Sequence, residues 1–276
     1  MYNKRKLPFG ADVTGQGEKE MKKAVVTLIS VLMCCSLFAS CMHPTDGGEM
    51  MTSQLETSAE DDSVKVGDHI TFGKYGQKDA ADPEPVEWRV LDVQDGKALV
   101  ISEYLLAPMV YNYDLADVTW EMCSLRKWLN GTFYDEAFSD SEKSLIQTVT
   151  VKNPDNPEHG TNGGNDTEDK VFCLSLEEAQ LYFKDADDRM AAPTESALKL
   201  GAEINGEVAL ENGMNTGWWW LRSPASSANR AADVDSYGNI DIGLPDGVNV
   251  DGDYVFSETN CVRPAMWIDI SDKDAV

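Results

Sequence analysis

The chain has 276 residues, and 42% of them are hydrophobic, which is enough to bury a core in one large domain or two small ones. Its formal net charge is −25 at pH 7. Residues 1–40 hold six Lys/Arg and three Asp/Glu, so residues 41–276 hold 17 (23 − 6) against 45 (48 − 3), a net charge of −28. A surface of that sign repels phosphate backbones, and nucleic acid is therefore excluded as a partner.

Residues 1–40 form a leader, in which residues 21–40 predict a secretory signal peptide. Lys22 and Lys23 give a positive start, residues 24–38 are almost unbroken apolar sequence, and small residues follow. The apolar stretch is shorter than the ~20 residues of a membrane-spanning helix, so it does not predict a permanent span. Residues 1–20 do not fit a signal peptide, and we hypothesise that translation begins at Met21.

The segment Leu37-Phe38-Ala39-Ser40-Cys41 resembles a bacterial lipobox, in which the cysteine sulfur takes a diacylglycerol before cleavage. The resemblance implies a lipid anchor on Cys41 and a protein held at the cell membrane, facing outside. Phe38 stands where Leu is usual, so secretion without an anchor is the alternative.

Residues 41–63 predict a flexible spacer behind the anchor, because they are rich in Ser, Thr, Asp, Glu and Gly and have few bulky apolar residues. From Val64 onward, short apolar runs alternate with turn residues. Residues 64–276 therefore predict one globular domain.

The domain opens with signals for strands and then for helices. Residues 87–93 and 97–102 flank an Asp-Gly turn and predict a hairpin. A helix is predicted from Ser124, and two capping-box patterns, at Ser139 and Ser175, predict helices over residues 140–146 and 176–183. A further helix is predicted over residues 195–200, after Pro193-Thr194.

The remaining apolar runs predict strands joined by Gly-rich turns, over residues 218–221, 232–242 and 261–270. The fold class is therefore α+β, with short helices among mostly antiparallel strands.

Six sequence segments occur in a fixed order along the domain: residues 72–77 (FGKYGQ), 87–91 (EWRVL), 124–130 (SLRKWLN), 169–175 (DKVFCLS), 219–224 (WWLRSP) and 262–265 (VRPA). In this order they resemble an uncharacterised bacterial family that is common in exported proteins and is named only as a domain of unknown function. The resemblance covers residues 64–270 and implies one domain but no reaction. Its closing Arg-Pro strand is also similar, more distantly, to the C-type-lectin-like fold of sulfatase-modifying enzymes, and this implies a C-type-lectin-like single domain.

Two cysteines depart from the pattern of this family, since Cys173 stands where Leu is usual and Cys261 where Gly is usual. On neighbouring strands they would be placed to form a disulfide. Free buried thiols are the favoured interpretation, because Cys is a frequent core residue and Cys123 leaves an odd number.

Candidate ligand-binding residues are Trp218, Trp220, Arg222 and Arg263. Aromatic rings hold the apolar faces of sugars, and alternation along a strand turns Trp218 and Trp220 to the same side. The two arginines follow apolar strand residues and have the geometry to bind a carboxylate. Packing of the rings in the core and internal pairing of the arginines are the alternatives.

A calcium site is a second hypothesis, for the loop at residues 153–169. Its candidate ligands are Asp155, Asn165, Asp166 and Asp169, which supply the oxygen atoms that calcium prefers. A solvated loop is the alternative, because Asn, Asp, Gly and Pro build turns without any metal.

The sequence favours a surface-tethered, non-catalytic binding module whose partner is an extracellular glycan or cell-wall polymer. His43, His69 and His159 form no His-Glu-x-x-His pair, and the sequence contains neither a Gly-x-Ser-x-Gly motif nor a phosphate loop. The alternatives are an extracellular glycan hydrolase that uses Asp/Glu, and a structural or protein-interaction domain.

Overall fold

The computed structural model describes residues 63–79, 81–241 and 251–271, which belong to a compact unit that spans Ala59–Val276. The predicted leader, Cys41 and the spacer as far as residue 62 lie outside the described residues. The structure confirms a single α+β domain with short helices and mostly antiparallel strands.

The strands are short apart from the first two, which form a long hairpin. In the described residues they span His69–Asp79 (β1), Asp82–Gln94 (β2), Lys97–Ser102 (β3), Ala107–Pro108 (β4), Val149–Val151 (β5), Thr167–Asp169 (β6), Ile204–Ala209 (β7), Asn215–Gly217 (β8), Trp219–Pro224 (β9), Arg230–Val234 (β10), Ile240–Asp241 (β11), Asp253–Tyr254 (β12), Cys261–Val262 (β13) and Ala265–Asp269 (β14).

The helices have seven residues or fewer. Those of the described residues span Ser124–Trp128 (α1), Tyr134–Ala137 (α2), Asp140–Leu145 (α3), Leu176–Tyr182 (α4), Ala186–Arg189 (α5) and Glu195–Lys199 (α6), with a π-helix at Leu129–Phe133 between α1 and α2.

The first sheet has the order β1-β2-β3-β14 and joins the beginning of the domain to its end. The predicted hairpin is confirmed: β2 and β3 pair antiparallel around Asp95 and Gly96, whose φ angles are 48° and 73°. Two consecutive positive φ values are what a tight two-residue hairpin turn requires, and Asp-Gly tolerates them. On the other side of β3, Ala265 of β14 pairs with Ile101.

The second sheet has the order β11-β10-β9-β13-β4, and β12 also pairs with β10. Its central strand β9 is buried along its whole length and carries the WWLRSP segment. The pairing of β13 with β9 is parallel, and the other pairings in the sheet are antiparallel.

N-capping side chains, which accept hydrogen bonds from the unpaired backbone amides of the first turn, determine where the helices begin. Both predicted capping boxes are confirmed, Ser139 with Glu142 at α3 and Ser175 with Glu178 at α4. Thr194 caps α6 in the same way, although no glutamate completes the box there.

The helix predicted from Ser124 changes to a π-helix after one turn. Asn130 lies in this π-helix, and its amide oxygen accepts hydrogen bonds from the backbone amides of Lys170 and Val171. Its amide nitrogen donates to the carbonyl of Val171 at 2.9 Å. Asn130 therefore binds the helix to the chain that follows β6.

One continuous core joins the two sheets and the helices. The cysteines Cys123, Cys173 and Cys261 lie in it as free thiols, which agrees with the favoured interpretation of the sequence. Desolvation by burial raises the pKa of Cys123 and of Cys261 to about 12, so both stay protonated at neutral pH.

Candidate functional site

The two central tryptophans of the WWLRSP segment are core residues. Trp219 and Trp220 have no exposed surface, and their indole nitrogens donate to the backbone carbonyls of Arg189 at 3.3 Å and Met109 at 2.7 Å. Both faces of β9 are covered, so alternation along the strand does not leave one ring outside. Trp218, just before the strand, is partly exposed.

Arg222 is 2% exposed and binds three separate segments of the chain. Its guanidinium donates to both carboxylate oxygens of Glu178, at 2.5 and 2.7 Å. It also donates to the carbonyls of Cys173 and Lys152. These hydrogen bonds occupy all the nitrogen atoms of the group, since Nε binds the Lys152 carbonyl as well.

Arg263 is 1% exposed and is held by carbonyl oxygens. It donates to Ser102 at 3.0 Å, to Arg189 at 3.1 Å and to Glu103 at 3.4 Å. Its guanidinium also lies 5.1 Å from the ring centroid of Trp219. Burial lowers the pKa of Arg263 to about 10, so it stays charged at neutral pH.

Three of the four predicted ligand-binding residues therefore lie in the interior. The burial of Trp220, Arg222 and Arg263 does not fit direct contact with a polymer, because each polar group of these side chains already binds the protein itself. This arrangement corrects the prediction for them: they fasten loops and helices to the central strands. Trp218 alone among the four retains accessible surface.

Among the candidate calcium ligands, Asp169 is fully buried and already paired. Its carboxylate accepts hydrogen bonds from Arg126 Nε at 2.6 Å, Trp120 Nε1 at 2.9 Å and Thr167 Oγ1 at 2.7 Å. A buried carboxylate with an arginine partner and two further donors is already compensated without a metal ion.

Of the other candidate ligands in the loop, Asp155 and Asp166 accept hydrogen bonds from protein donors, and Asn165 donates one. Asp166 pairs with Lys152 at 2.5 Å, and this hydrogen bond lowers the pKa of Asp166. Asp155 accepts the backbone amide of Gly163 at 3.0 Å. Asn165 donates from its side chain to Glu121 at 2.9 Å.

In the part of the chain that the structure describes, no group of three or more His, Cys, Asp or Glu side chains is placed to hold a metal ion. One amide oxygen of the loop remains available: Asn153 Oδ1 is buried and accepts no hydrogen bond from a described residue.

An exposed pair of aromatic rings lies at the edge of the second sheet. Tyr254 and Phe256 are 40% and 42% exposed, and their ring centroids are 5.7 Å apart with 36° between the planes. Val255 between them is fully buried, whereas the rings on either side of it lie next to each other and are exposed. Tyr254, Phe256 and Arg230 are called the aromatic face below.

Arg230 holds Tyr254 in place. Its guanidinium carbon lies 3.8 Å from the Tyr254 ring centroid, and its Nη1 donates to the carbonyl of Gly252 at 2.6 Å. The backbones of Arg230 and Tyr254 pair between β10 and β12. The stacked cation and the strand pairing orient the ring before any ligand arrives.

A neighbouring loop extends the same surface. The backbone amide of Asn112 donates to the Val255 carbonyl at 2.6 Å, and the Val255 amide donates to Asn229 at 3.1 Å. Tyr113, which follows Asn112, is 70% exposed. Hydrogen bonds thus join the three loops at residues 112–118, 225–230 and 251–260 beside the aromatic face.

These three loops are acidic. They hold five carboxylates against the single cation Arg230, and none of the five forms an ion pair with a described residue. The backbone amide of Val118 donates to Ala228 at 2.9 Å, which binds the first loop to the second. The five carboxylates belong to Asp114, Asp117, Asp251, Asp253 and Glu258.

The sequence prediction missed the aromatic face because β12 has only two residues and no turn signal identifies it. The available signal was the alternation Tyr254-Val255-Phe256, with two aromatic residues on one side of a buried valine.

Residues 95–270 match a family model described as Domain of unknown function (DUF6273), and the match covers well over half of the chain. The protein therefore belongs to the DUF6273 family. The predicted membership in an uncharacterised domain family is confirmed at that level.

The family model begins at residue 95, whereas the resemblance noted in the sequence begins at residue 64. No curated protein and no solved structure matched the chain. Within the described residues, no helix combines the length and the apolar composition that crossing a membrane requires.

Proposed function

We propose that this protein is a non-catalytic binding module for an extracellular glycan or cell-wall polymer, held at the outer side of the cell membrane by a lipid on Cys41. The aromatic face carries the proposal. Two adjacent rings, each about two-fifths exposed, present an apolar surface where a soluble domain would otherwise place polar groups.

The geometry of the two rings suits a sugar. The carbon-bound hydrogens of a pyranose make one side of it apolar, and this side packs on the face of an aromatic ring. The Tyr254 and Phe256 rings are exposed side by side, with centroids 5.7 Å apart and 36° between their planes, so neighbouring sugars of a linear polymer can contact them without a deep pocket. The Tyr254 hydroxyl and the nearby carboxylates supply hydrogen-bond partners for sugar hydroxyls.

The C-type-lectin-like relationship is part of the same proposal. The strand that follows Arg263-Pro264 is β14, and it lies beside β3, so the end of the domain returns to its first sheet. Calcium has weaker support than the aromatic face, since the carboxylates of its predicted ligand set accept hydrogen bonds from protein donors. Asn153 Oδ1 is a buried oxygen of the loop that accepts none from a described residue.

A glycan array tests the proposal with the mature protein purified from membranes in detergent. The double variant Tyr254→Ala/Phe256→Ala should bind a retained glycan about tenfold more weakly or worse, because two stacked rings contribute on the order of 1–3 kcal/mol. Tyr237→Ala is the matched control: Tyr237 is 51% exposed, but it lies in the turn at the opposite end of β10 from Arg230.

Binding that is equal in the double variant and the wild type would exclude the aromatic face as the site. Absence of binding to every glycan and wall fraction would overturn the proposed function itself. A parallel array with a calcium chelator tests whether binding requires calcium. Labelling with radioactive palmitate tests the lipid anchor, and the Cys41→Ala variant should incorporate no label.

A further inference from the structure

We propose that the glycan bound at the aromatic face carries free amino groups, as in a polymer of glucosamine that is wholly or partly without its acetyl groups. This inference rests on the proposed function and specifies the ligand class of the same site. Its basis is the combination of exposed rings and unpaired carboxylates on three loops that hydrogen bonds hold together.

The carboxylates around the face form no ion pair with a described residue. Asp251 and Asp253 flank Gly252 at the start of β12, Glu258 lies two residues beyond Phe256, and Asp114 and Asp117 lie on the loop that hydrogen-bonds to Val255 and Ala228. With Arg230, the three loops carry five negative charges against one positive.

Arg230 does not neutralise these carboxylates. Its guanidinium lies on the Tyr254 ring, and its Nη1 donates to the Gly252 carbonyl, so the cation binds the ring and the backbone and not a carboxylate. The electrostatic potential at the aromatic face therefore remains negative. The chain from residue 41 onward also has a net charge of −28 (17 − 45). An anionic glycan is repelled, and a neutral one offers the carboxylates hydroxyl donors but no opposite charge.

An ammonium group satisfies both features of the face at once. Aromatic rings attract cations through their electron-rich faces, by about 0.5–1 kcal/mol at exposed sites. Each exposed carboxylate adds about 0–1 kcal/mol to the binding of an ammonium group. A polymer repeats the amine along its length, so several weak contacts act together.

The experiment compares two probes that differ at the 2-amino group of each sugar, which is a free amine in one and acetylated and uncharged in the other. Short oligomers of glucosamine and of N-acetylglucosamine, of equal length, are titrated into the mature protein by calorimetry at slightly acidic pH, where the amines are protonated. The amine form should bind about tenfold more tightly. The difference should shrink when the salt concentration rises from about 50 to about 500 mM, because exposed charges are screened.

Two sets of variants locate the effect. The triple variant Asp251→Asn/Asp253→Asn/Glu258→Gln should lose the preference for the amine while it keeps its affinity for the acetylated oligomer. Asn at position 253 retains an oxygen that can accept the hydrogen bond of the Tyr254 amide. The control Asp82→Asn/Glu136→Gln/Glu177→Gln removes three exposed charges outside the three loops and should leave the preference intact.

The outcomes separate the two proposals. If both oligomers bind the aromatic face equally, or if both triple variants change the preference equally, the ligand class is wrong and glycan binding stands. If neither oligomer nor any other glycan binds, both proposals fail together. Tighter binding of an acidic polysaccharide than of the amine oligomer also overturns the inference.

Discussion

Arg222 and Glu178 face each other with two parallel hydrogen bonds, from Nη1 at 2.5 Å and from Nη2 at 2.7 Å. Glu178 Oε2 also accepts the backbone amide of Ser175, as the capping box of α4 requires. One carboxylate thus closes a helix start and neutralises the buried cation of the central strand. The WWLRSP segment is in this way a structural element that fixes the position of α4.

Replacement of Glu178 separates these two roles. Glu178→Gln should lower the free energy of unfolding by about 3–5 kcal/mol, because it leaves Arg222 as a buried charge without a counter-charge. Glu142→Gln is the matched control, since Glu142 completes the capping box of α3 without an arginine partner. It should cost about 1 kcal/mol. Urea unfolding followed by tryptophan fluorescence measures both, and equal losses would contradict the role given to the ion pair.

Alanine substitution of two glycines with similar positive φ angles tests how closely the β10–β11 turn packs against α5. Gly238 has φ of +76°, and an added Cβ would lie 1.8 Å from the carbonyl oxygen of Ala186. Gly213 has φ of +82°, but the added Cβ would meet nothing within 4 Å. Both alanine variants should lose about 1–2 kcal/mol of stability, because alanine is strained at a positive φ. Gly238→Ala should lose about 1–3 kcal/mol more, because its Cβ overlaps the carbonyl of Ala186.

The thermal midpoint of Gly238→Ala should therefore be clearly lower than that of Gly213→Ala. If the two midpoints coincide, the approach of the β10–β11 turn to Ala186 is looser than the structure shows.

The loss of unfolding free energy at acidic pH depends in part on Glu142. Burial alone raises its pKa, but hydrogen bonds from Ser139 and from the backbone amide of Gly73 outweigh burial, and the pKa lies below its usual value. Since the folded pKa is below the unfolded one, the stabilisation is complete above the unfolded pKa of about 4.3. It is lost as the pH falls through the folded pKa.

Glu142→Gln should therefore flatten the fall in unfolding free energy between about pH 5 and pH 3, relative to the wild type. Urea titrations at several pH values within this window measure the two slopes. Parallel curves for the two proteins would show that the hydrogen bonds to Glu142 do not depend on its charge.

Local signals in the sequence predicted the local structure well. The capping boxes at Ser139 and Ser175 and the Asp95-Gly96 turn are confirmed, because each depends on hydrogen bonds or dihedral angles within a few residues. The π-helix at Leu129–Phe133 was not predicted, since it depends on Asn130 binding the backbone of Lys170 and Val171, some 40 residues away.

The candidate site was harder to predict for a similar reason. Alternation in the WWLRSP segment separates two faces of a strand, but it cannot tell that other elements cover both faces. It therefore left a ligand site and an internal role both open for Trp220 and Arg222. Tyr254 and Phe256 became recognisable only when the pairing of β12 with β10 placed them beside Arg230.

The position of β14 has a consequence for the timing of folding. Ala265 of β14 pairs with Ile101 of β3, and Arg263 donates to the carbonyl of Ser102, 161 residues earlier in the chain. Contacts between such distant residues slow folding, because a long loop must close before they form. While a ribosome makes the chain, the first hairpin can form early, but its sheet stays incomplete until β14 emerges. The closing of the first sheet, and with it the completion of the core, therefore waits for the last strand of the described residues.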